Sequence, residues 1–172
     1  MTEEADSITN ISLYRKRLEE ASDFRGVWEI VKDSVKTVLD QYRVSMMLFL
    51  DDLPLRMGAY HQVGTNNIVM NRVLLEVVEA ATDNRVLANA FVYIILLHEY
   101  LHALGYIREA DARALVREVA REAFGLDHVV DQLAILGPWS ILKGIPLDLV
   151  QGPKRVMEVV KGFERASQDY IV

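Results

Sequence analysis

The amino-acid sequence predicts an α+β protein in which a small, mostly antiparallel sheet packs on helices. Three observations carry that expectation. Apolar residues recur at helical spacing on both sides of the middle of the chain, as in "FRGVWEIVKDSVKTVLDQY" from residue 24. Between those helical stretches, residues 43–70 hold short runs of β-branched and aromatic residues interrupted by Asp-Asp-Leu-Pro and Gly-Thr-Asn-Asn. Residues 84–104 then form the most apolar stretch of the chain, closed by Gly105.

In chain order, residues 11–22 and 24–42 predict two helices, the second with a stripe of Val27, Ile30, Val31, Val35, Val38 and Leu39. "RVSMMLFLDDLP" reads as a buried strand stopped by its Asp-Asp-Leu-Pro end. "RMGAYHQ" and Ile68 to Met70 read as two further strands, so residues 56–70 form a hairpin. Helical spacing returns at 72–80, and Thr82 and Asp83 suit the start of the helix over 84–104. Another helix is predicted over 107–124, closed by Gly125. "LDHVVDQLAIL" is helical, residues 137–153 are broken by Gly and Pro, and 154–166 predict a closing amphipathic helix. Trp28, Trp139, Met46 and Met47 fill core. The 172 residues suffice for one domain with its own core, centred on 43–124, with helical additions at 1–42 and 126–172.

Composition narrows the function. A net charge of −6, with Lys and Arg dispersed, leaves no basic footprint for nucleic acid. With no cysteine, disulfide frameworks and thiolate chemistry are excluded, so any metal must be held by His and carboxylates. The acidic start "MTEEADSITN" does not resemble a secretory signal, and the longest apolar run, Ala90 to Leu97, falls far short of the roughly 20 residues that span a bilayer. The expectation is a soluble cytoplasmic protein with no membrane partner.

The chemistry is concentrated in "LLHEYLHALGYIREADAR", residues 96–113. Four residues apart on a helix, His98 and His102 project about 40° apart and about 6 Å along the axis, so both rings can reach one ion. Glu99 stands beside the pair, where a base for a water at the metal must be. Leu96, Leu97, Tyr100, Leu101, Ala103 and Leu104 are uncharged, as in a buried helix, and a buried helix keeps polar groups only where something satisfies them. A surface helix with a polar stripe fits these flanks poorly.

His98-Glu99-Tyr100-Leu101-His102 resembles the zincin metallopeptidases, whose signature is this motif in an uncharged helix. "GAYHQ" and "NNIVMN" resemble the hairpin whose edge strand lines the substrate cleft in small zincins. The likeness covers residues 43–124. It implies a catalytic Zn²⁺ with three protein ligands and an open position. Metzincins carry a third histidine where this chain has Arg108, a cation that cannot ligate zinc. Glu109-Ala110-Asp111-Ala112 instead resembles the Glu-x-x-Ala of gluzincins, including the small minigluzincin type.

An unbroken helix would leave Glu109 about 10 Å along the axis from His102, so the chain must reverse at Gly105 for Glu109 to reach the ion. A longer loop would favour Glu122 or Glu118, and Asp111 is a further alternative, either as ligand or as acceptor for an imidazole N–H. Glu109 otherwise reads as a helix N-terminal acid paired with Arg113.

The expected function is zinc-dependent hydrolysis of a peptide or protein substrate. His98, His102 and Glu109 would hold the metal and Glu99 would act as general base. His61, Tyr60 and Tyr106 are candidate oxyanion donors, although packing or surface roles account for each, as for His128. The competing expectations are a catalytically inactive zincin-like metal-binding or regulatory module, and a metal-free helical interaction protein.

Overall fold

The long apolar run becomes the central helix of the molecule. The structure, a computed structural model, describes residues 2–145 and 152–164. In chain order it has α1 (Thr2–Glu20), α2 (Phe24–Leu39), β1 (Met47–Asp51), β2 (Ala59–His61), β3 (Asn67–Asn71), α3 (Arg72–Ala81), α4 (Arg85–Ala103), α5 (Glu109–Phe124), α6 (Val129–Leu136), a 3-10 turn (Pro138–Leu142) and β4 (Glu158–Val159). Helix α4 packs against all five of the other α-helices and against β2 and β3. Every residue from Ala90 to Leu97 is buried. By length and composition α4 could cross a membrane, but 67% of its apolar window is covered by the rest of the fold.

The sheet has the order β2-β3-β1-β4. β2 and β3 form the expected antiparallel hairpin, with Tyr60 opposite Val69. β2 lies at the edge instead of between β1 and β3, so the strand after it runs in the same direction as β1. β1 and β3 are therefore parallel, from Met47 opposite Asn67 to Asp51 opposite Asn71, and β4 adds antiparallel to the other side of β1. The α+β class stands, with a sheet that is mixed and whose longest ladder is parallel.

Two polar anchors hold the hairpin beside α4. The Arg43 guanidinium donates to the Ala103 carbonyl at the end of α4, to the Thr65 carbonyl at 3.1 Å and to Asn66 Oδ1 at 2.6 Å. The buried Asn71 amide donates to the carbonyls of Leu53, Pro54 and Met57, while its Oδ1 caps α3. Gly58 meets α4 so closely that a Cβ there would lie 2.9 Å from Ile95 Cδ1.

Several expectations are corrected. α1 begins at Thr2, well before residue 11, with Glu3 and Glu4 in its first turn where the helix dipole favours acids. The cap of α4 is Asn84, whose side chain accepts from Leu87 N at 3.2 Å. Thr82 closes α3 instead, its hydroxyl donating to Val78 O at 2.8 Å.

The closing helix over 154–166 is not formed between 154 and 164, and residues 165 and 166 lie outside the described residues. That segment runs extended and pairs with the edge of β1, with Val160 N donating to Leu48 O at 2.9 Å. The edge of β1 offers a hydrogen-bonding ladder, and Arg155 fixes the strap with bonds to Asp52 and Glu76. Trp28 and Met46 are core as expected, whereas Met47 is 43% exposed and Trp139 is 36% exposed.

Candidate metal centre

The turn between α4 and α5 builds the site. Gly105 sits at φ 109°, outside the range comfortable for an L side chain. Its N–H bonds to His102 O at 3.0 Å, and Tyr106 N donates to Leu101 O at 3.1 Å, so the last carbonyls of α4 are satisfied as the chain reverses. α5 packs back on α4. Glu109, its first residue, meets the motif histidines.

The two imidazole nitrogens and the Glu109 carboxylate form a small triangle of groups, each imidazole meeting a different carboxylate oxygen, and one ligand atom from each residue lies within 4.8 Å of the others. His102 Nε2 lies 3.1 Å from His98 Nε2. Glu109 Oε2 lies 3.1 Å from His98 Nε2, and Glu109 Oε1 lies 2.9 Å from His102 Nε2. Two ligands about 2.0–2.1 Å from a tetrahedral ion stand about 3.3 Å apart, close to the 3.1 Å between the two imidazole nitrogens, and the carboxylate faces both rings.

The protonation pattern favours a cation. His102 Nδ1 is 2.7 Å from the Tyr106 carbonyl, an acceptor, so Nδ1 carries the proton and Nε2 presents a lone pair. Held against a carboxylate oxygen, that lone pair calls for a proton or a metal between them. Burial, partly offset by Glu109, lowers the His98 pKa and keeps its ring in the neutral, ligating form. Among the described residues, His98, His102 and Glu109 are the group of acids and histidines able to hold a metal ion.

Glu99 is 7% exposed. Burial is the largest influence on its carboxyl, raising the pKa to about 7, against a lowering pull from His102 and from a hydrogen bond with the His61 backbone. In the metal-free protein it is thereby poised near neutrality, a range suited to taking and returning a proton.

A cleft of about 580 Å³ opens beside the triangle, with His98, Glu99 and Glu109 in its wall. Ala59 of β2 and Ile94 and Ile95 of α4 line one part, and α6 and Trp139 another. Asp111 is exposed and within 3.9 Å of Arg108, away from the triangle. Glu118 and Glu122 are exposed further along α5 and do not join the cluster. The alternative reading of Glu109, a pair with Arg113, is not formed among the described residues, and Glu109 faces the histidines instead.

The oxyanion candidates separate. His61 has its Nδ1 3.0 Å from Asn67 O, and its pKa is lowered by burial. The Tyr106 hydroxyl accepts from Gln41 Nε2 at 2.5 Å. Tyr60 is exposed on the edge strand. His128 caps α6, accepting from Val130 N, and stacks on Phe124 away from the site.

The sequence named Arg113 only as a partner for Glu109 and did not single out Arg56 and Arg117, which line the cleft with it, or Arg43, which fixes the end of α4. The four-residue spacing of Glu109, Arg113 and Arg117 was the readable signal for two of them. No family model, curated protein or solved structure matches the chain.

Proposed function

We propose that this protein is a zinc-dependent peptide hydrolase built like a small gluzincin, with His98, His102 and Glu109 holding the metal. The observation that carries the reading is the triangle of two imidazole nitrogens and one carboxylate, with donor edges of 2.9–3.1 Å, opening on a cleft beside a buried glutamate. Three protein ligands and an open side are the donor set of a catalytic rather than a closed structural site. Bound there, zinc would supply a Lewis acid that polarises the scissile carbonyl and acidifies water.

The chain's own residues do the rest. Glu99, buried beside the two histidines in the wall of the cleft, takes a proton from the attacking water and returns it to the leaving amine. The Tyr106 carbonyl fixes the tautomer and orientation of His102. β2 is an edge strand beside the cleft, so its outer backbone can align an extended peptide by strand addition.

The test is a peptide-library cleavage assay on zinc-loaded protein and its Glu99→Gln variant. The parent cleaves peptide bonds, and the variant retains zinc while activity falls by about 10²- to 10⁴-fold, the usual contribution of a general acid–base. Zinc bound by a parent that cleaves nothing would make the non-catalytic metal-binding module the better reading.

A further inference from the structure

The cleft has a charge pattern that hydrolysis alone does not require. In a chain of net charge −6, three arginines line it: Arg56 from the loop before β2, and Arg113 and Arg117 from α5. Its acids are Glu99 and Glu109, both used at the metal centre. Among the described residues, Arg56, Arg113 and Arg117 have neither a hydrogen bond nor an ion pair to a carboxylate. The loop carrying Arg56 is fixed by the three Asn71 bonds to Leu53, Pro54 and Met57. The rest of the wall is apolar, with Ile94, Val116, Leu133, Leu136 and Trp139. Leu136 is 71% exposed and Trp139 36%, a greasy lip at the mouth of the cleft.

We propose that this cleft recognises peptides carrying a carboxylate close to the scissile bond, with Arg113 and Arg117 as principal receptors, Arg56 opposite them, and the apolar wall taking an adjacent side chain. The proposal rests on the reading that peptides enter this cleft for hydrolysis. On α5 the Cα atoms of Arg113 and Arg117 lie about 6 and 12 Å along the helix from Glu109. For an extended peptide running along α5, which advances about 3.3–3.6 Å per residue, those offsets correspond to positions about two to four residues from the metal. Guanidinium is the side-chain group that best matches a carboxylate, through two parallel N–H donors. The carboxylate can come from the peptide's own C-terminus or from an Asp or Glu side chain.

Fluorescence anisotropy with labelled peptides tests this, using zinc-loaded Glu99→Gln protein, in which cleavage is about 10²- to 10⁴-fold slower, and metal-free parent protein. The probes are one matched set with an apolar residue next to Glu or Gln and an amidated end, and a second matched set with a free or amidated C-terminus. The expected result is that a carboxylate-bearing member binds about 10- to 100-fold tighter than its neutral match, the range of a hydrogen-bonded charge. That preference should weaken with salt and fall toward one in the Arg113→Gln/Arg117→Gln double variant. Charge reversal, Arg117→Glu, should shift preference toward a Lys-bearing peptide.

The two carboxylate sources are separated by which matched set shows the preference, and either supports the proposal. Equal binding of acidic and neutral peptides, or a preference that survives the double variant, overturns it. A protein that cleaves nothing yet keeps the preference would refute the hydrolase reading and leave the recognition standing. Cleavage of neutral and acidic peptides alike, with no binding preference, would do the reverse.

Discussion

Glu99 shows at the scale of one residue that the site is maintained against stability. Burial raises its pKa from an ordinary 4.5 to about 7. Between those values the folded metal-free protein holds a proton that the unfolded chain has released, so stability falls as pH rises through that window and levels off above it. The full effect is about 3 kcal/mol above pH 7. Glu99→Gln, which has no charge to desolvate, should therefore raise the stability of the metal-free protein by about 2–3 kcal/mol at pH 8 and by little at pH 4.5, measured by urea unfolding. An equal change at both pH values would mean that burial of the charge is not the cause.

His98, Glu99 and His102 were legible in the sequence because their relation is local, set by helix geometry alone. Glu109 required one further inference, the reversal at Gly105. The cleft arginines and Trp139 were not legible as a set, since the loop before β2, α5 and the turn after α6 come together only in three dimensions.

At the scale of elements, the reversal between α4 and α5 turns two helices into one site. A Cβ at Gly105 would meet nothing within 4 Å, so the effect of Gly105→Ala comes from its φ of 109° alone. That substitution should lower stability by about 1–3 kcal/mol in thermal or chemical unfolding. It should also weaken zinc binding, because the Tyr106 carbonyl and Glu109 are both placed by this turn. Unchanged zinc affinity would separate the turn from the site.

The strap around Arg155 makes a different prediction. Hydrogen bonds from Arg155, assisted by Arg72, hold the Asp52 carboxyl well below the usual carboxylate range. A depressed acid contributes stability above its unfolded pKa and loses that contribution as pH falls through the folded one. Hydrogen-exchange protection at Arg155 and Val160 should therefore persist at neutral pH and fade only under strong acid. Asp52→Asn should reduce that protection at pH 7 and leave zinc affinity intact. The strap also shows where periodicity misleads: residues 154–164 have a helical apolar pattern, yet an open strand edge and a charged clasp, both distant in sequence, draw them into the sheet.

For the whole molecule, α4 is both the core and the floor of the site. Its apolar residues are enclosed by helices and sheet, and the motif lies where that enclosure opens into the cleft. The α+β class and the central helix were legible because burial leaves its mark on composition. The parallel pairing of β1 with β3 was not, because strand order depends on which edge the chain returns to. Since zinc would bind the folded arrangement and not the unfolded chain, loading should raise Tm, and the variants that lose the metal should lose that gain.

The metal site is tested most directly by the zinc content and affinity of tag-free protein at pH 7, by elemental analysis and calorimetric titration, across the parent and five alanine variants. About one zinc per chain is expected for the parent. Tight binding should be lost in His98→Ala and His102→Ala, weakened in Glu109→Ala, and unchanged in Glu118→Ala and Glu122→Ala. No stoichiometric uptake by the parent, or a Glu109→Ala variant that binds zinc as tightly as the parent, would contradict this metal site.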